Sequence, residues 1–414
     1  MIAWTESRRV AATSDAVLGV VPSVVFQPRT REECVASFEE ARRRRLALAV
    51  VGGRTKVGLG AVPRRLDALV STRGLDRVLE HAPSDQVVVV EAGITLAVLQ
   101  ATLARNGQRL ACDAPQADRA SLGGLLATND FGPLRTRFGS LRDLVLGVSV
   151  VRADATVVRG GGKVVKNVAG YDVPKLMVGA LGTLGMIETV TLRLHPLPEL
   201  ERTIRIAGLD AGALRALVVL LRRDQFEPCS LVALSSGDAF DALVRFEGFG
   251  VGVEDACRAL HSAAAELGRP GEALSDTDAC DAWAEHDALR AGREVRLKVA
   301  FPPAALPAIA RDVLRPLAGA LPAGRSVLYP TLGLAFVSGG PPDGAAFAAA
   351  LVDARARSGT LAGSLVVHDL PLALRGPHAD VWGPPPASLP LMRRLKERFD
   401  PEGRLNDGRF VGGI

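Results

Sequence analysis

GGKVVKNVAGYDVPKLMVGALGTLGMIE, running from Gly161 to Glu188, decides how this chain reads. It holds more glycine than a helix or a strand tolerates, and it has an internal order. A turn (Gly160, Gly161, Gly162) is followed by a basic polar run, a short helix and a second glycine loop. Asp172 is placed to cap the helix, and Pro174 falls near the first helical position, where a missing N–H costs nothing. The helix continues through Lys175, Leu176, Met177 and Val178. Gly179, Gly182 and Gly185 then recur at every third position, with Thr183 between them. That spacing leaves backbone N–H groups uncovered where something flat or anionic can approach. A helix end followed by an ordinary strand accounts for the same residues, so the rest of the chain must decide.

Upstream, Val24-Val25-Phe26 reads as a short strand stopped by Pro28. Thr30 with Glu33 three residues on forms a capping box for a helix whose buried stripe is Cys34, Phe38 and Ala41. Leu46 to Val51 is an apolar run of strand length, covered on both faces. It feeds directly into Gly52-Gly53-Arg54-Thr55-Lys56 and closes at Gly58 and Gly60. A strand ending in a turn that presents N–H groups, a hydroxyl and a lysine is what a phosphate needs. The spacing is that of neither a Walker A loop nor a Rossmann fingerprint, and a tight turn with a surface lysine remains the alternative. Leu66 to Val70 and Val87 to Ala92 read as further strands, and Thr95 caps an apolar helix from Leu96 to Leu103. A second glycine loop, Ser121-Leu122-Gly123-Gly124, opens a short helix through Ala127, Thr128 and Asn129, again offering N–H groups to an anion. Leu144 to Val151 and Thr156 to Arg159 alternate as a hairpin, and Met186 to Leu194 is the last strand before Pro196 and Pro198.

Beyond that boundary the texture changes. Helical stretches near 211–223, 255–267, 304–314 and 345–357 alternate with strands near 203–207, 230–234, 242–246, 294–301, 333–337 and 364–368. This mixture predicts an α+β domain with an antiparallel sheet. A helix from Leu391 to Phe399 closes the chain, followed by Asp400 to Arg409.

Composition bounds the function. The 414 residues suffice for two domains with a substantial core, and 48% hydrophobic with 23% charged residues is ordinary for a globular protein. Aromatics at 4% argue against base-stacking platforms for single-stranded nucleic acid. The net charge of +5 is concentrated partly in Arg42 to Arg45, at a helix end where cations complement the dipole. No nucleic-acid partner is expected. The five cysteines (Cys34, Cys112, Cys229, Cys257, Cys280) form no C-x-x-C pair, and so no disulfide framework, zinc site or iron–sulfur motif, which points to a reducing cytosol. The N-terminus is too polar for a signal peptide, and no run of about 18 apolar residues is present to span a membrane.

Three glycine loops, each at the end of a strand between residues 50 and 190, fit one bulky cofactor with a pyrophosphate and a planar ring. The residues that carry this reading also carry a resemblance. VVGGRTKVGLG (50–60), SLGGLLATNDFGPLRTRFGSLRDLVLGVSVV (121–151) and the stretch from Gly161 to Pro198 resemble the PCMH-type FAD-binding domain of the vanillyl-alcohol-oxidase superfamily. Within it, GGKVVKNVAGYDV with GALGTLG is most similar to the FAD-binding (GlcE) subunits of bacterial glycolate oxidase. FDPEGRLNDGRF (399–410) resembles the family's closing segment.

The resemblance implies an α+β fold. A two-part PCMH-type FAD-binding domain (1–198) would be followed by an α+β antiparallel-sheet cap domain (199–390), with a C-terminal segment (391–414) packing back on the FAD domain. It implies that Gly52, Gly53, Arg54, Thr55 and Lys56 wrap the FAD pyrophosphate through backbone N–H groups. Ser121, Gly123 and Gly124 would complete the phosphate site, with Ala127 and Asn129 nearby. Gly182, Thr183, Gly185 and Ile187 would run past the adenosine or flavin portion, and Asn406 and Arg409 would return towards the flavin. Lys166 and Tyr171 would lie near it. Two departures stand out: Arg54 replaces the third glycine of a usual Gly-Gly-Gly, and Asp407 replaces the usual proline. With no histidine or cysteine in the first loop, FAD is expected to be noncovalent.

A histidine-rich cap motif of the kind carried by related hydroxy-acid dehydrogenases is missing. The six histidines are dispersed, with His368 and His378 the nearest pair, and no metal site is expected. Arg293, Arg296, Tyr329 and Trp382 are candidates for substrate or flavin contacts, but ordinary surface, core or rim positions explain them better. No catalytic base emerges. The resemblance therefore implies an FAD-dependent oxidoreductase subunit, electron-relaying or structural, beside a catalytic FAD subunit and an iron–sulfur subunit. The complex would oxidise small 2-hydroxy acids such as glycolate or D-lactate. Its location would be cytoplasmic, reaching the inner membrane only through the complex. A self-sufficient FAD-dependent 2-hydroxy-acid dehydrogenase and a flavin-free scaffold, the latter suggested by Arg54, stay open.

Overall fold

The computed structural model describes residues 7–164, 170–291, 293–375 and 380–414. The chain divides into two compact units, one of Met1–Phe131, Gly139–Leu197 and Pro377–Ile414, the other of Gly132–Phe138 and Pro198–Gly376.

The first unit is built on two sheets. One contains β1 (Arg8–Val10), β2 (Val24–Phe26), β3 (Leu48–Val51) and β4 (Ala68–Ser71) in the order β1-β2-β4-β3. β4 lies parallel to both β2 and β3. The parallel step from β2 to β3 is made by helix α1 (Arg31–Arg43). Its N-terminus differs from the expected capping box: Thr30 takes the Glu33 N–H, but the Glu33 carboxylate accepts from the Arg29 N–H at 2.7 Å. The stripe Cys34, Phe38 and Ala41 is fully buried against Phe26, Leu48 and Val70. Burying each large apolar side chain of this kind contributes roughly 1.5–3 kcal/mol.

The second sheet contains β5 (Val78–Ala82), β6 (Val87–Glu91), β7 (Val145–Val151), β8 (Val157–Gly161) and β9 (Met186–Arg193), in the order β5-β6-β9-β7-β8. All its pairings are antiparallel. Glu188, the last residue of the decisive stretch, is buried on β9, and Arg31 of α1 donates to both its oxygens at 3.0 and 2.9 Å. Two-pronged Arg–carboxylate pairs combine charge with fixed geometry, and this one ties α1 to the second sheet. Two short helices, α2 (Leu96–Ala104) and α3 (Leu122–Thr128), start at Thr95 and Ser121, whose hydroxyls take the N–H groups of Val98 and Gly124.

The second unit is an eight-stranded antiparallel sheet with helices. Its order is Glu272–Ala273, β10 (Leu200–Leu209), β12 (Ala239–Gly248), β11 (Ser230–Ser236), β14 (Arg325–Tyr329), β15 (Leu334–Gly339), β13 (Val295–Ala300) and β16 (Ser364–Asp369). The expected antiparallel-sheet cap is therefore present. The sequence reading lacked β14 and the helix Asp276–Arg290, which supply this unit's most buried polar network. Tyr329, His286 and Arg290 are all fully buried, with Tyr329 Oη 2.7 Å from His286 Nε2 and accepting from Arg290 Nε at 2.8 Å. Arg290 also stacks 3.6 Å from the Phe336 ring centre. Arg296 is held by the Arg290 carbonyl and the Asp369 carboxylate. Tyr329 and Arg296 are thus core residues and Arg293 is exposed, while His378 lies outside the described residues. Among the described residues no helix is long and apolar enough to cross a membrane.

Removing the phenol oxygen isolates two buried partners of different charge type. Tyr329→Phe is expected to destabilise the second unit by about 1–3 kcal/mol. The measurement is the midpoint of urea unfolding, followed by the fluorescence of Trp283.

Candidate functional site

The loop after β3 packs against the N-terminus of α3. Gly53 donates to the Ser121 hydroxyl at 3.4 Å, and a Cβ on Gly53 would fall 1.5 Å from the Arg119 carbonyl, so only glycine fits there. The same Ser121 oxygen accepts the Gly124 N–H of α3. At its other end α3 leaves carbonyls without helical donors, as every helix does. The loop 179–185 supplies them: Gly179 donates to Leu126 and Leu181 to Ala127, both at 2.8 Å. The glycine turns of the decisive stretch are backbone devices. Gly179 and Gly182 have φ of 77° and 68°, a left-handed region that costs other residues about 1–2 kcal/mol.

These loops enclose one cleft. Its walls include Gly52, Gly53, Arg54, Thr55 and Lys56 from the first loop, and Ser121, Gly123, Gly124 and Ala127 from α3. Gly182, Gly185 and Ile187 come from the third loop, and Asn406 and Arg409 from the C-terminal segment. The second and third glycine loops differ from expectation in that neither ends a strand: the second opens α3, and the third follows the helix Val173–Met177. Two expected site residues do not reach the cleft wall. Thr183 is buried, its hydroxyl donating to Ala180 O at 2.7 Å, and Asn129 is the left-handed C-cap of α3. Tyr171 is 94% exposed, and Lys166 lies outside the described residues. Thr72, Met177, Ala180 and Leu181 also line the cleft, and no residue-type signal singled them out. Trp382 donates from its indole to Arg409 O at 3.0 Å and packs edge-on to Phe410.

The side chains of Arg54 and Lys56 both find partners within the protein. Arg54 has φ 60°, the conformation its glycine counterparts supply without strain. Its guanidinium donates to Ala16 O at 2.6 Å, and burial lowers its pKa. Next to that contact, the Arg9 guanidinium donates to both oxygens of Asp15 and pulls that carboxyl down to about 2. Lys56 forms a buried ion pair with Asp130 at 2.7 Å, with side chains 7% and 4% exposed. Its charge is matched within the protein. Lys56 is therefore not a loose cation in the cleft, and main-chain N–H groups supply donors there. Among the described residues no protein acceptor takes the backbone N–H groups of Arg54, Thr55 or Gly182. Unclaimed backbone N–H groups at glycine turns are what a pyrophosphate requires. The second loop differs from expectation here: the first N–H groups of α3 are taken within the protein, Leu122 by Ile94 O, Gly123 by Ala92 O and Gly124 by the Ser121 hydroxyl. No histidine, cysteine or tyrosine is among the described lining residues. Among the described residues no group of three histidine, cysteine or acidic side chains is placed to hold a metal. Burial pushes the thiols of Cys112 and Cys229 up to about 12, as expected of packing rather than reactive cysteines.

The Lys56–Asp130 pair generates a direct test of this charge arrangement. Lys56→Met leaves a carboxylate in a buried site and should cost about 3–5 kcal/mol in denaturant unfolding. Adding Asp130→Leu to it should restore most of that loss.

Comparison with known proteins agrees with this geometry. Residues 22–161 match the model of the FAD binding domain family. The chain is 35% identical over 173 residues to D-lactate dehydrogenase of Archaeoglobus fulgidus, covering 42% of this chain and 39% of that protein. It is 36% identical over 129 residues to glycolate oxidase subunit GlcE of Escherichia coli, covering 31% of this chain and 37% of that one. The match thus spans well under half the length of either relative. Among solved structures, p-cresol methylhydroxylase with substrate bound superposes with a TM-score of 0.74 at 14% identity, over 94% of this chain and 88% of that one, which establishes the shared fold. Residues 22–161 are accordingly an FAD binding domain, and FAD is the cofactor of that domain.

Proposed function

We propose that the cleft holds FAD without a covalent bond, and that the chain serves as an FAD-binding subunit in the two-electron oxidation of small 2-hydroxy acids such as glycolate or D-lactate. The observation that carries this reading is that Arg54, Thr55 and Gly182, whose N–H groups no protein acceptor takes among the described residues, line one cleft together with residues of α3. In this reading the first loop, Ser121, Gly123 and Gly124 hold the pyrophosphate. Ala127, Gly182, Gly185 and Ile187 line the remainder, while Thr183 and Asn129 shape the third loop and the end of α3. Bound FAD supplies a ring that accepts a hydride equivalent; the protein supplies orientation and a shielded site. The absence of histidine, cysteine and tyrosine from the described lining supports noncovalent attachment. The left-handed Arg54 removes the motive for a flavin-free scaffold, since its backbone does what a glycine would do there.

The names of the two relatives support the substrate class, and the glycolate oxidase subunit supports a multisubunit setting. We place the chain beside a catalytic flavoprotein subunit and an iron–sulfur subunit, in the cytoplasm. The buried Tyr329–His286–Arg290 network supports a relay or structural role over independent turnover, because the Tyr329 hydroxyl, the His286 ring and Arg290 Nε are bonded to one another.

The purified chain is expected to be yellow and to release its flavin on acid denaturation. A flavin that stays with the polypeptide contradicts noncovalent binding. Anaerobic glycolate or D-lactate should leave the spectrum of the isolated chain unchanged, whereas bleaching without a partner would show a self-sufficient dehydrogenase. Gly123→Glu sets a carboxylate at the N-terminus of α3, where even the Cβ would be 2.9 Å from Ala92 Cβ. That variant should lose FAD, about 100-fold or more in affinity, from anion repulsion at a phosphate site. Full occupancy in it would exclude this loop as the phosphate cradle.

A further inference from the structure

The contacts around the cleft form a ring. Ser121 links the first loop to α3, the carbonyls of Leu126 and Ala127 link α3 to the third loop, and the segment Asp400–Arg409 links the third loop back to the first. Asn406, 3% exposed, donates from Nδ2 to Leu181 O at 2.7 Å and from its backbone N–H to Leu48 O at 2.8 Å. Its Oδ1 accepts from Arg409 Nη1 at 3.3 Å. Arg409, 4% exposed, donates from Nη2 to Val57 O at 2.8 Å and Leu59 O at 2.7 Å, and its carbonyl accepts the Ala61 N–H. Both loops carry glycine where this segment presses on them. A Cβ on Gly60 would come within 2.6 Å of Arg409 O, and one on Gly182 within 2.8 Å of Asn406 Nδ2. Lys396 anchors the segment from behind, donating to Thr183 O at 3.0 Å, Leu405 O at 2.8 Å and Asp400 at 2.7 Å.

We infer that Asn406 and Arg409 are positioning residues whose hydrogen bonds set the separation of the first and third loops, so that FAD binding and docking of Asp400–Arg409 strengthen each other. The inference rests on the reading of the cleft as the FAD seat. Its physical basis is that the N–H groups on offer belong to two loops, Arg54 and Thr55 on one and Gly182 on the other. Neither loop alone fixes the distance between them. A forked guanidinium holding two carbonyls of the first loop, coupled through Asn406 to a carbonyl of the third, is a short rigid strut. Coupling between two events is reciprocal: whatever the docked segment adds to FAD affinity, FAD adds to the docking.

The test uses the full-length chain stripped of flavin and titrated with FAD by quenching of flavin fluorescence. Arg409→Met and Asn406→Ala are each expected to weaken FAD on the order of 10- to 100-fold, the scale of lost hydrogen bonds to a charged or buried group. Arg409→Lys should recover part of that loss. In the wild type, FAD should slow amide hydrogen exchange across residues 400–409, and this protection should shrink in Arg409→Met. A residue that merely supports the fold does not predict exchange protection by FAD at the far end of the chain. FAD affinities within about twofold of wild type in both variants, or exchange at 400–409 that is indifferent to FAD, would overturn the coupling while leaving the FAD seat intact. Failure of the wild type to bind FAD would remove the seat and the coupling with it. Should Arg409→Met not fold, Asn406→Ala and the wild-type exchange measurement decide the matter.

Discussion

Helix α3 ends beside the cleft, and its last carbonyls must find donors outside the helix. The first unit meets this need with the N–H groups of Gly179 and Leu181, and much of its architecture follows from that exchange. To bring those N–H groups to Leu126 and Ala127, the loop must reverse sharply, and it does so with left-handed residues at Gly179, Leu181 and Gly182. The same reversal leaves the Leu181 carbonyl pointing to Asn406 and the Thr183 carbonyl pointing to Lys396. One helix terminus thereby determines the path of the decisive stretch, the place where the C-terminal segment docks, and the position of the Gly182 N–H on the cleft wall.

Buried carboxylates of this unit meet cations. Arg31 meets Glu188, Arg77 meets Glu91, Lys56 meets Asp130 and Lys396 meets Asp400. Burial lowers the pKa of Lys396, and its neighbour Asp400 counteracts that by raising it. Since the unfolded lysine binds its proton more tightly than the folded one, this group opposes folding most below its folded pKa and ceases to do so as pH rises past its ordinary value. What the unit accepts in return is geometric: Lys396 gathers carbonyls from two distant segments at one point. Cancellation at Lys56 also explains why the cleft can serve an anion without holding a loose cation. Backbone N–H groups in fixed orientation carry the attraction, and they need no reorganisation when the anion arrives.

The glycine turns, the caps at Thr30, Thr95 and Asp172 and the two-texture division were legible because they are local. Each rests on residues within a few positions of one another. The partners of Lys56, Thr183, Asn406 and Arg409 were not legible, because they are set by segments 74 to 352 residues away or by the direction in which a buried hydroxyl turns. In the second unit, the helix Asp276–Arg290 escaped notice because its sequence, DTDACDAWAEHDALR, lacks an apolar stripe. Its buried face consists of His286, Leu289 and Arg290, and two of those three side chains are polar. That face became a core surface only through Tyr329 and Phe336 on strands more than thirty residues away. β14, with the sequence RSVLY, is five residues long and ends at a proline, which is too little pattern to separate from a loop.

Adjacent positions in the first loop show that glycine is required there for two separable reasons. Gly53 is a matter of space: any Cβ would overlap the Arg119 backbone, and no conformational choice relieves it. Position 54 is a matter of torsion alone. Arg54 adopts φ 60° at a cost of about 1–2 kcal/mol, and its side chain finds room by reaching to Ala16. The segment it reaches is independently held, with Asp15 fixed by Arg9 and by the Ala12 N–H at 2.8 Å. A charge-assisted bond to a half-buried carbonyl offsets torsional strain of that size. The substitution therefore leaves the backbone path of the cradle where glycine would put it and moves the new charge into a contact with the N-terminal segment. The departure from Gly-Gly-Gly is, in the folded chain, a tether, and among the described residues the N–H of residue 54 meets no competing acceptor within the protein.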